Sequence, residues 1–369
     1  MEFRILTTTQ ELEAFCKASH DVEWLALDTE FIRERTYYPN LCLVQIASER
    51  DIVCIDTITI KDLSSLRKLL YQPSITKIFH SASQDLEIFV NLYDEVPTPM
   101  FDTQIAASLL GYGDQVSYAY LVNEICDVEL DKSLSRTNWE RRPLTDDEIR
   151  YAVDDVKYLA KIYLYLKGQL TEQQRSHWAE FECNNLSALD KYKVDASKIW
   201  KTVKGVGKLE SEQLIVLKHL AQWRELQAIA ENKPRRWILT DKALRSLAIE
   251  QPIDTNSLQH VEDINREHAG YVDALFEEIN IAKNIPEAEW PETNFIGPLS
   301  SEQRKLIKTA QSFIRERAEE LNISPSLLAT RSVVEKLIRG KRELDILSSW
   351  KKELIGDALV ELIESSNPA

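Results

Sequence analysis

The sequence predicts an α/β domain followed by two small all-α domains, and three observations carry that reading. Over roughly the first 165 residues, short apolar runs of β type alternate with helical patterns. Beyond about Gly168 the β signals stop. A stretch holding Pro286, Pro291, Gly297 and Pro298 then splits the helical remainder into two pieces that resemble one another.

In chain order, β-type runs are expected at residues 24–27, 41–47, 52–55 and 75–79, and helices at 9–18, 63–70, 84–92, 103–110 and 146–166. Thr145, followed by Asp146, Asp147 and Glu148, reads as an N-cap with an acidic first turn and a capping-box glutamate. That start fixes the register of the helix after it. Each helical piece opens with a long helix, 212–231 and 301–321. A short Pro-containing turn comes after it, then an apolar pair with a polar cap: Trp237-Ile238-Leu239-Thr240-Asp241 in one, Leu327-Leu328-Ala329-Thr330 in the other. A further helix comes next, 243–249 and 332–338. The expected domains are 1–170, a linker at 171–210, then 211–291 and 297–369.

Composition bounds the function. With 44% hydrophobic and 28% charged residues, the 369-residue chain can fill real cores. Its first residues lack a basic region followed by an apolar run, so no secretory leader is expected. No apolar stretch approaches the roughly 20 residues of a membrane span. Cys16, Cys42, Cys54, Cys126 and Cys183 are scattered and form no C-x-x-C pair, which points to a reduced, cytoplasmic protein without a zinc site. A net charge of −15 argues against a nucleic-acid partner. Metal-binding carboxylates inflate that sum, however, and residues 191–245 hold thirteen Lys+Arg against six Asp+Glu. Solvated helix faces explain that excess equally well.

Three segments bear on chemistry. In Leu25-Ala26-Leu27-Asp28-Thr29-Glu30 an apolar strand ends in Asp-x-Glu, and residues two apart on a strand share a face. Two carboxylates there repel, and a hard divalent cation relieves the cost; a solvated strand end is the bland alternative. Asp85 falls in the first turn of the helix after the 75–79 run, where a favourable charge at the helix N-terminus would suffice. His80 reads as a packed residue rather than a ligand. On the capped helix, Tyr151 and Asp155 are i and i+4 neighbours, while Asp154 is rotated by about 100°.

Together these segments match, in order and spacing, the DEDD exonuclease superfamily, with Tyr151 marking its DEDDy branch. The stretch Leu130-Asp131-Lys132-Ser133-Leu134-Ser135-Arg136-Thr137-Asn138-Trp139-Glu140-Arg141-Arg142-Pro143 resembles the segment before the last motif of the ribonuclease D family. So does Asp28-Thr29-Glu30-Phe31 followed by Arg35-Thr36-Tyr37-Tyr38-Pro39. The resemblance covers essentially the whole chain. It implies a ribonuclease H-like exonuclease domain, a mixed sheet flanked by helices, followed by two HRDC-like domains. It further implies 3′→5′ hydrolysis of RNA, tRNA precursors in particular, releasing nucleoside 5′-monophosphates. Two divalent ions, Mg²⁺ or Mn²⁺, would be bound by Asp28, Glu30, Asp85 and Asp155, with Tyr151 orienting or helping to activate the water. Asp102 resembles a family position but reads better as a helix N-cap.

Lys132, Arg136, Trp139, Arg141 and Arg142 are candidates for RNA contact, and Lys198, Lys201, Lys204 and Lys208 around Trp200 form a second candidate set. No membrane or obligatory protein partner is expected, and a monomer is the simplest state. The rival readings are a DNA exonuclease with the same site and a non-catalytic RNA-binding scaffold.

Overall fold

The structure is a computed structural model that describes residues 3–130, 137–258, 260–264, 266–292 and 299–365. The described residues fall into two compact units, one within Met1–Ile32, Leu41–Tyr192 and Leu299–Ala369, the other within Arg33–Asn40 and Lys193–Pro298.

The first unit is built on a six-stranded mixed sheet. Its strands are β1 (Phe3–Leu6), β2 (Trp24–Ile32), β3 (Asn40–Ala47), β4 (Ile52–Asp56), β5 (Thr76–Phe79) and β6 (Met100–Asp102), in the order β1-β4-β3-β2-β5-β6. β1 runs parallel to β4, and β5 runs parallel to both β2 and β6; β3 and β4 are antiparallel. Among its described residues this α/β part has eight α-helices: α1 (Thr9–Ala18), α2 (Ser64–Leu70), α3 (Ser83–Tyr93), α4 (Thr103–Leu109), α5 (Tyr118–Cys126), α6 (Asp146–Lys157), α7 (Leu159–Glu172) and α8 (Ser176–Leu186).

Strand parity sorts the side chains into two layers. Leu25, Leu27, Val44 and Ile55 pack with Leu12 and Phe15 of α1 and with Leu86 and Phe89 of α3. Trp24, Ala26, Cys54 and Ile78 pack on the other face with Ala152, Val153 and Val156 of α6 and with Tyr163 of α7. Each large apolar side chain so buried contributes about 1.5–3 kcal/mol. The four β-type runs read from the sequence are β2 to β5. The structure extends β2 to Ile32, so Asp-x-Glu lies within the strand instead of ending it. It adds β1, three of whose four residues are exposed, and the three-residue β6. The helix expected at 146–166 is two helices, broken at Tyr158.

In the second unit, α9 (Ser211–Ala230) is central, packed by α10 (Arg235–Ile238), α11 (Asp241–Glu250) and α13 (Val272–Lys283); α12 (Thr255–Leu258) joins the last two. Trp200 is a core residue here at 7% exposure, packed with Leu214, Leu217 and Leu244. That corrects its expected place beside RNA. Of the lysines around it, Lys198 is paired with Asp195 at 2.7 Å.

The remaining helices, α14 (Ser301–Glu320), α15 (Pro325–Leu328), α16 (Arg331–Ile338) and α17 (Asp357–Ser365), belong to the first unit. They repeat the plan of α9–α11: a 20-residue helix, a four-residue helix and a Thr-capped helix. Trp350 stacks on Trp178 of α8 with ring centroids 4.4 Å apart and donates to Glu182 at 2.9 Å. Arg175 donates to the carbonyls of Leu109 (2.6 Å) and Leu321 (2.7 Å). Gly111, at φ +86°, sits so close that a Cβ there would lie 2.5 Å from the Asn322 carbonyl oxygen.

Gly111→Ala is therefore expected to cost about 1–3 kcal/mol in urea unfolding, from the overlap and the left-handed backbone together. Gly113→Ala has a similar backbone penalty but meets only Val116 Cγ1 at 3.6 Å, and should cost less. Equal losses in the two variants would argue against the Gly111–Asn322 contact.

Candidate active site

Three carboxylates converge where β2 meets α6. Asp28 and Glu30 continue the Trp24–Ala26 face of β2, the face that α6 covers. Asp155 comes from α6. One carboxylate oxygen from each of the three lies within 4.8 Å of the others, and all three residues are half-buried. The register of α6 is set by its capping box. Thr145 Oγ1 accepts from the Glu148 amide at 3.3 Å, and Glu148 Oε2 accepts from the Thr145 amide at 2.7 Å. Asp154 is turned to Lys157, 3.5 Å away.

Asp85 enters differently. Thr29, between the two β2 carboxylates, has the opposite parity, and its hydroxyl donates to Asp85 Oδ1 at 2.6 Å. Asp85 itself is buried in the first turn of α3. That turn is held by Asp102, which accepts from the amides of Ser81 (3.2 Å) and Ala82 (2.8 Å) while capping α4 through Gln104 and Ile105. Thr29 and the double role of Asp102 are additions to the sequence reading. The ring nitrogens of His80 each lie 3.0 Å from a partner, the Thr103 hydroxyl and the Val116 carbonyl, so His80 is a packed residue.

The electrostatics are those of crowded acids. Burial first, then Asp155, Asp85 and Glu30, raise the Asp28 carboxyl well above the carboxylate range. Burial, Asp155 and Asp85 push Glu30 up to about 9. Burial likewise pushes Asp85 and Asp155 up to about 7 each. The groups acting most strongly on Asp28 and Glu30 include no cation. An all-oxygen donor set of this kind, partly exposed and short of positive charge, fits a hard divalent ion.

Comparison with known proteins places this arrangement. Residues 3–171 match the 3′-5′ exonuclease family model, and residues 213–276 match the HRDC domain. The chain is 36% identical over 358 residues to ribonuclease D of Pseudomonas paraeruginosa, covering 95% of each chain. It is 34% identical over 366 residues to that of Bartonella henselae, covering 98% of this chain and 90% of the relative. The chain belongs to the ribonuclease D family. It resembles the crystal structure of Escherichia coli RNase D, an exoribonuclease involved in structured RNA processing, with a TM-score of 0.90 and 32% identity over 99% of both chains. A likeness to the catalytic core of RRP6 from Trypanosoma brucei, with TM-score 0.59 and 24% identity, concerns the fold alone. As a member of the ribonuclease D family this protein is a 3′→5′ exoribonuclease, and its family works with divalent metal ions.

The ribonuclease D-like segment before α6 differs in role from its expectation. Trp139 is 3% exposed and packs against Tyr151, ring centroids 6.2 Å apart. No face of the indole is open to a base, so the stacking role is corrected to a supporting one. Arg142 forks onto Asp56 (2.6 and 2.8 Å) and donates to the Trp139 and Cys42 carbonyls. Arg141 pairs with Glu148 at 2.7 Å and keeps about half its side chain exposed. Lys132 and Arg136 lie outside the described residues.

The raised carboxyls set a pH dependence. A carboxyl raised in the fold binds more protons folded than unfolded, so its contribution is full below the unfolded value and lost as pH rises through the folded one. For Glu30 that window runs from 4.5 to about 9; for Asp85 and Asp155 it runs from 3.8 to about 7. In EDTA the melting temperature should fall between pH 5 and pH 8. Mg²⁺ should restore more of it at pH 8 than at pH 5, and Glu30→Gln should flatten the slope. Parallel pH profiles for Glu30→Gln and wild type would refute the crowding.

Proposed function

We propose that Asp28, Glu30, Asp85 and Asp155 hold two divalent cations, Mg²⁺ with Mn²⁺ as substitute, and that the enzyme releases nucleoside 5′-monophosphates singly from RNA 3′ ends. The observation that supports this most is the convergence of Asp28, Glu30 and Asp155 within 4.8 Å with no cation among the groups that act on them most strongly. Such ions supply charge neutralisation at phosphorus and at the leaving oxygen, and a nucleophile near neutral pH. By bonding Asp85 Oδ1, Thr29 leaves the other oxygen of that carboxylate for a ligand.

Tyr151 stands one helical turn before Asp155. Burial and the facing carboxylates Asp155, Glu30 and Asp28 push its phenol up, so it keeps its proton at neutral pH. We read it as a hydrogen-bond donor that orients or helps activate the attacking water. Trp139 backs its ring.

We read the substrate as structured RNA 3′ ends, in line with the Escherichia coli enzyme's part in structured RNA processing, with tRNA precursors among them as the family resemblance implies, and the place of action as the cytoplasm. Among the described residues no helix is long and apolar enough to cross a membrane. The domains are taken as 1–170, 211–291 and 297–369 with a linker at 171–210. The last is read as a second HRDC-like domain because α14–α16 repeat the plan of α9–α11.

The test is digestion, with Mg²⁺, of a 3′-extended tRNA beside single-stranded DNA of matched length. The tRNA should shorten stepwise and faster than the DNA, and Asp28→Ala or Asp155→Ala should reduce cleavage to background without unfolding the protein. Tyr151→Phe should lower turnover on the order of a hundredfold with little change in RNA affinity. Faster digestion of DNA would overturn the substrate. Substantial activity in either Asp variant would overturn the site, and equal loss of turnover and affinity would remove the water-orienting role.

A further inference from the structure

We infer that the second unit carries a separate contact for single-stranded RNA, in which Trp237 stacks a base and the arginines around it bind the backbone. The inference rests on RNA being the substrate and deepens that reading.

The site is a cavity of about 460 Å³ whose wall includes Arg33, Tyr37, Arg224, Arg235, Arg236 and Trp237. Four guanidinium groups face two carboxylates, Glu34 and Asp241, in a chain whose net charge is −15. The base of the pocket is tied together by buried hydrogen bonds. Glu225, fully buried, accepts from the Tyr37 hydroxyl and from Arg235 (Nη2 to Oε1, 2.7 Å). Arg224, 3% exposed, donates to Asp241 (2.8 Å) and to the Leu239 carbonyl (3.0 Å), while its buried Nε has no acceptor. Arg224 therefore braces the pocket wall from within. Arg236 is exposed, and its guanidinium acts on the Asp241 carboxylate through charge alone, with no hydrogen bond holding it among the described residues.

Trp237 is the second observation. It is 56% exposed, although its neighbours Ile238 and Leu239 are fully buried and hold α10 to the core. Packing does not require an indole there. An open aromatic face set among arginines is what an unpaired base and its phosphate require. A duplex hides the faces of its bases, so the fit is to a single strand.

The equivalent turn of the second helical piece is used differently. With Thr240 and Thr330 as matching caps, Arg236 and Trp237 correspond to Ser326 and Leu327. There the turn is used within the chain: Ser326 bonds Asp114, and Leu327 packs on the cluster that holds Leu109, Leu121 and Trp178. The first copy replaces a small hydroxyl and an aliphatic side chain with a cation and an exposed indole at the same place. That exchange suits a charged, planar ligand better than a packed helix.

The site also has a chain connection to the catalytic strand. Arg33–Asn40, which supplies Arg33 and Tyr37, begins three residues after Glu30.

The test uses the full-length protein in EDTA, so that binding is read without cleavage, with a labelled oligoadenylate of about 20 nucleotides and a matching oligomer carrying 4-thiouridine. Trp237→Ala should weaken binding by roughly 5- to 100-fold, the range of one base stack. Trp237→Phe should keep most of the affinity, which separates stacking from misfolding. Arg236→Ala should reduce the slope of log K against log salt by about 0.7. Ultraviolet irradiation should link the thiouridine to Trp237 or to the 33–38 peptide. Unchanged affinity and slope in the Ala variants, with adducts elsewhere, would overturn the proposal. So would polyglutamate binding that depends on Arg236 but not on Trp237, which would assign the pocket to an acidic protein segment. If Trp237-dependent binding held while the tRNA digestion failed, the metal-site reading would fall and this contact would stand.

Discussion

Crowding of like charge on one face of β2 governs the rest of the first unit. Asp28 and Glu30 must share a face because they are two apart on a strand, and α6 brings Asp155 within 4.8 Å of both. Such a cluster is unstable unless protons or a cation enter it, so the surrounding structure must hold it against its own repulsion. β2 is hydrogen-bonded on both sides, by β3 and β5. α6 is pinned by a reciprocal cap at Thr145 and Glu148, and its apolar side packs directly under the site. Asp102 ties the start of α3 to the start of α4, which fixes the position of Asp85. Each device is ordinary by itself; together they hold these acids in place against their mutual repulsion.

The parts of this arrangement that follow from local periodicity could be read from the sequence. Period 2 put Asp28 beside Glu30, i+4 spacing put Tyr151 beside Asp155 and not Asp154, and the Thr145–Glu148 pattern set the helix start. Parity also hid something. Thr29 points away from Asp28 and Glu30, and its partner is 56 residues away in sequence, so no local rule assigns it. The Trp139–Arg142 segment is a sharper case. Tryptophan among arginines has one composition whether it faces RNA or the core. The deciding partners of Arg142, Asp56 and the Cys42 carbonyl, are 86 and 100 residues away.

The basic stretch at 191–245 shows the same limit from the other direction. Its excess of cations is a property of the sequence, but which of its aromatics are open depends on which side chains fill the core. Trp200 packs with Leu214 and Leu217 and is lost to solvent, whereas Ile238 and Leu239 do that work beside Trp237.

The two helical pieces show how one template takes two roles. Both use a long helix, a one-turn helix and a Thr-capped helix, so the backbone presents the same short turn twice. In the second copy that turn carries Ser326 and Leu327 and is spent on intrachain packing, reinforced by the Trp178–Trp350 stack and by Arg175 on the Leu321 carbonyl. In the first it carries Arg236 and Trp237 and stays open. Leucine in place of tryptophan at such a position costs little in a packed contact but removes the flat face that a base needs. At this turn the two pieces differ in two side chains and in what those side chains touch.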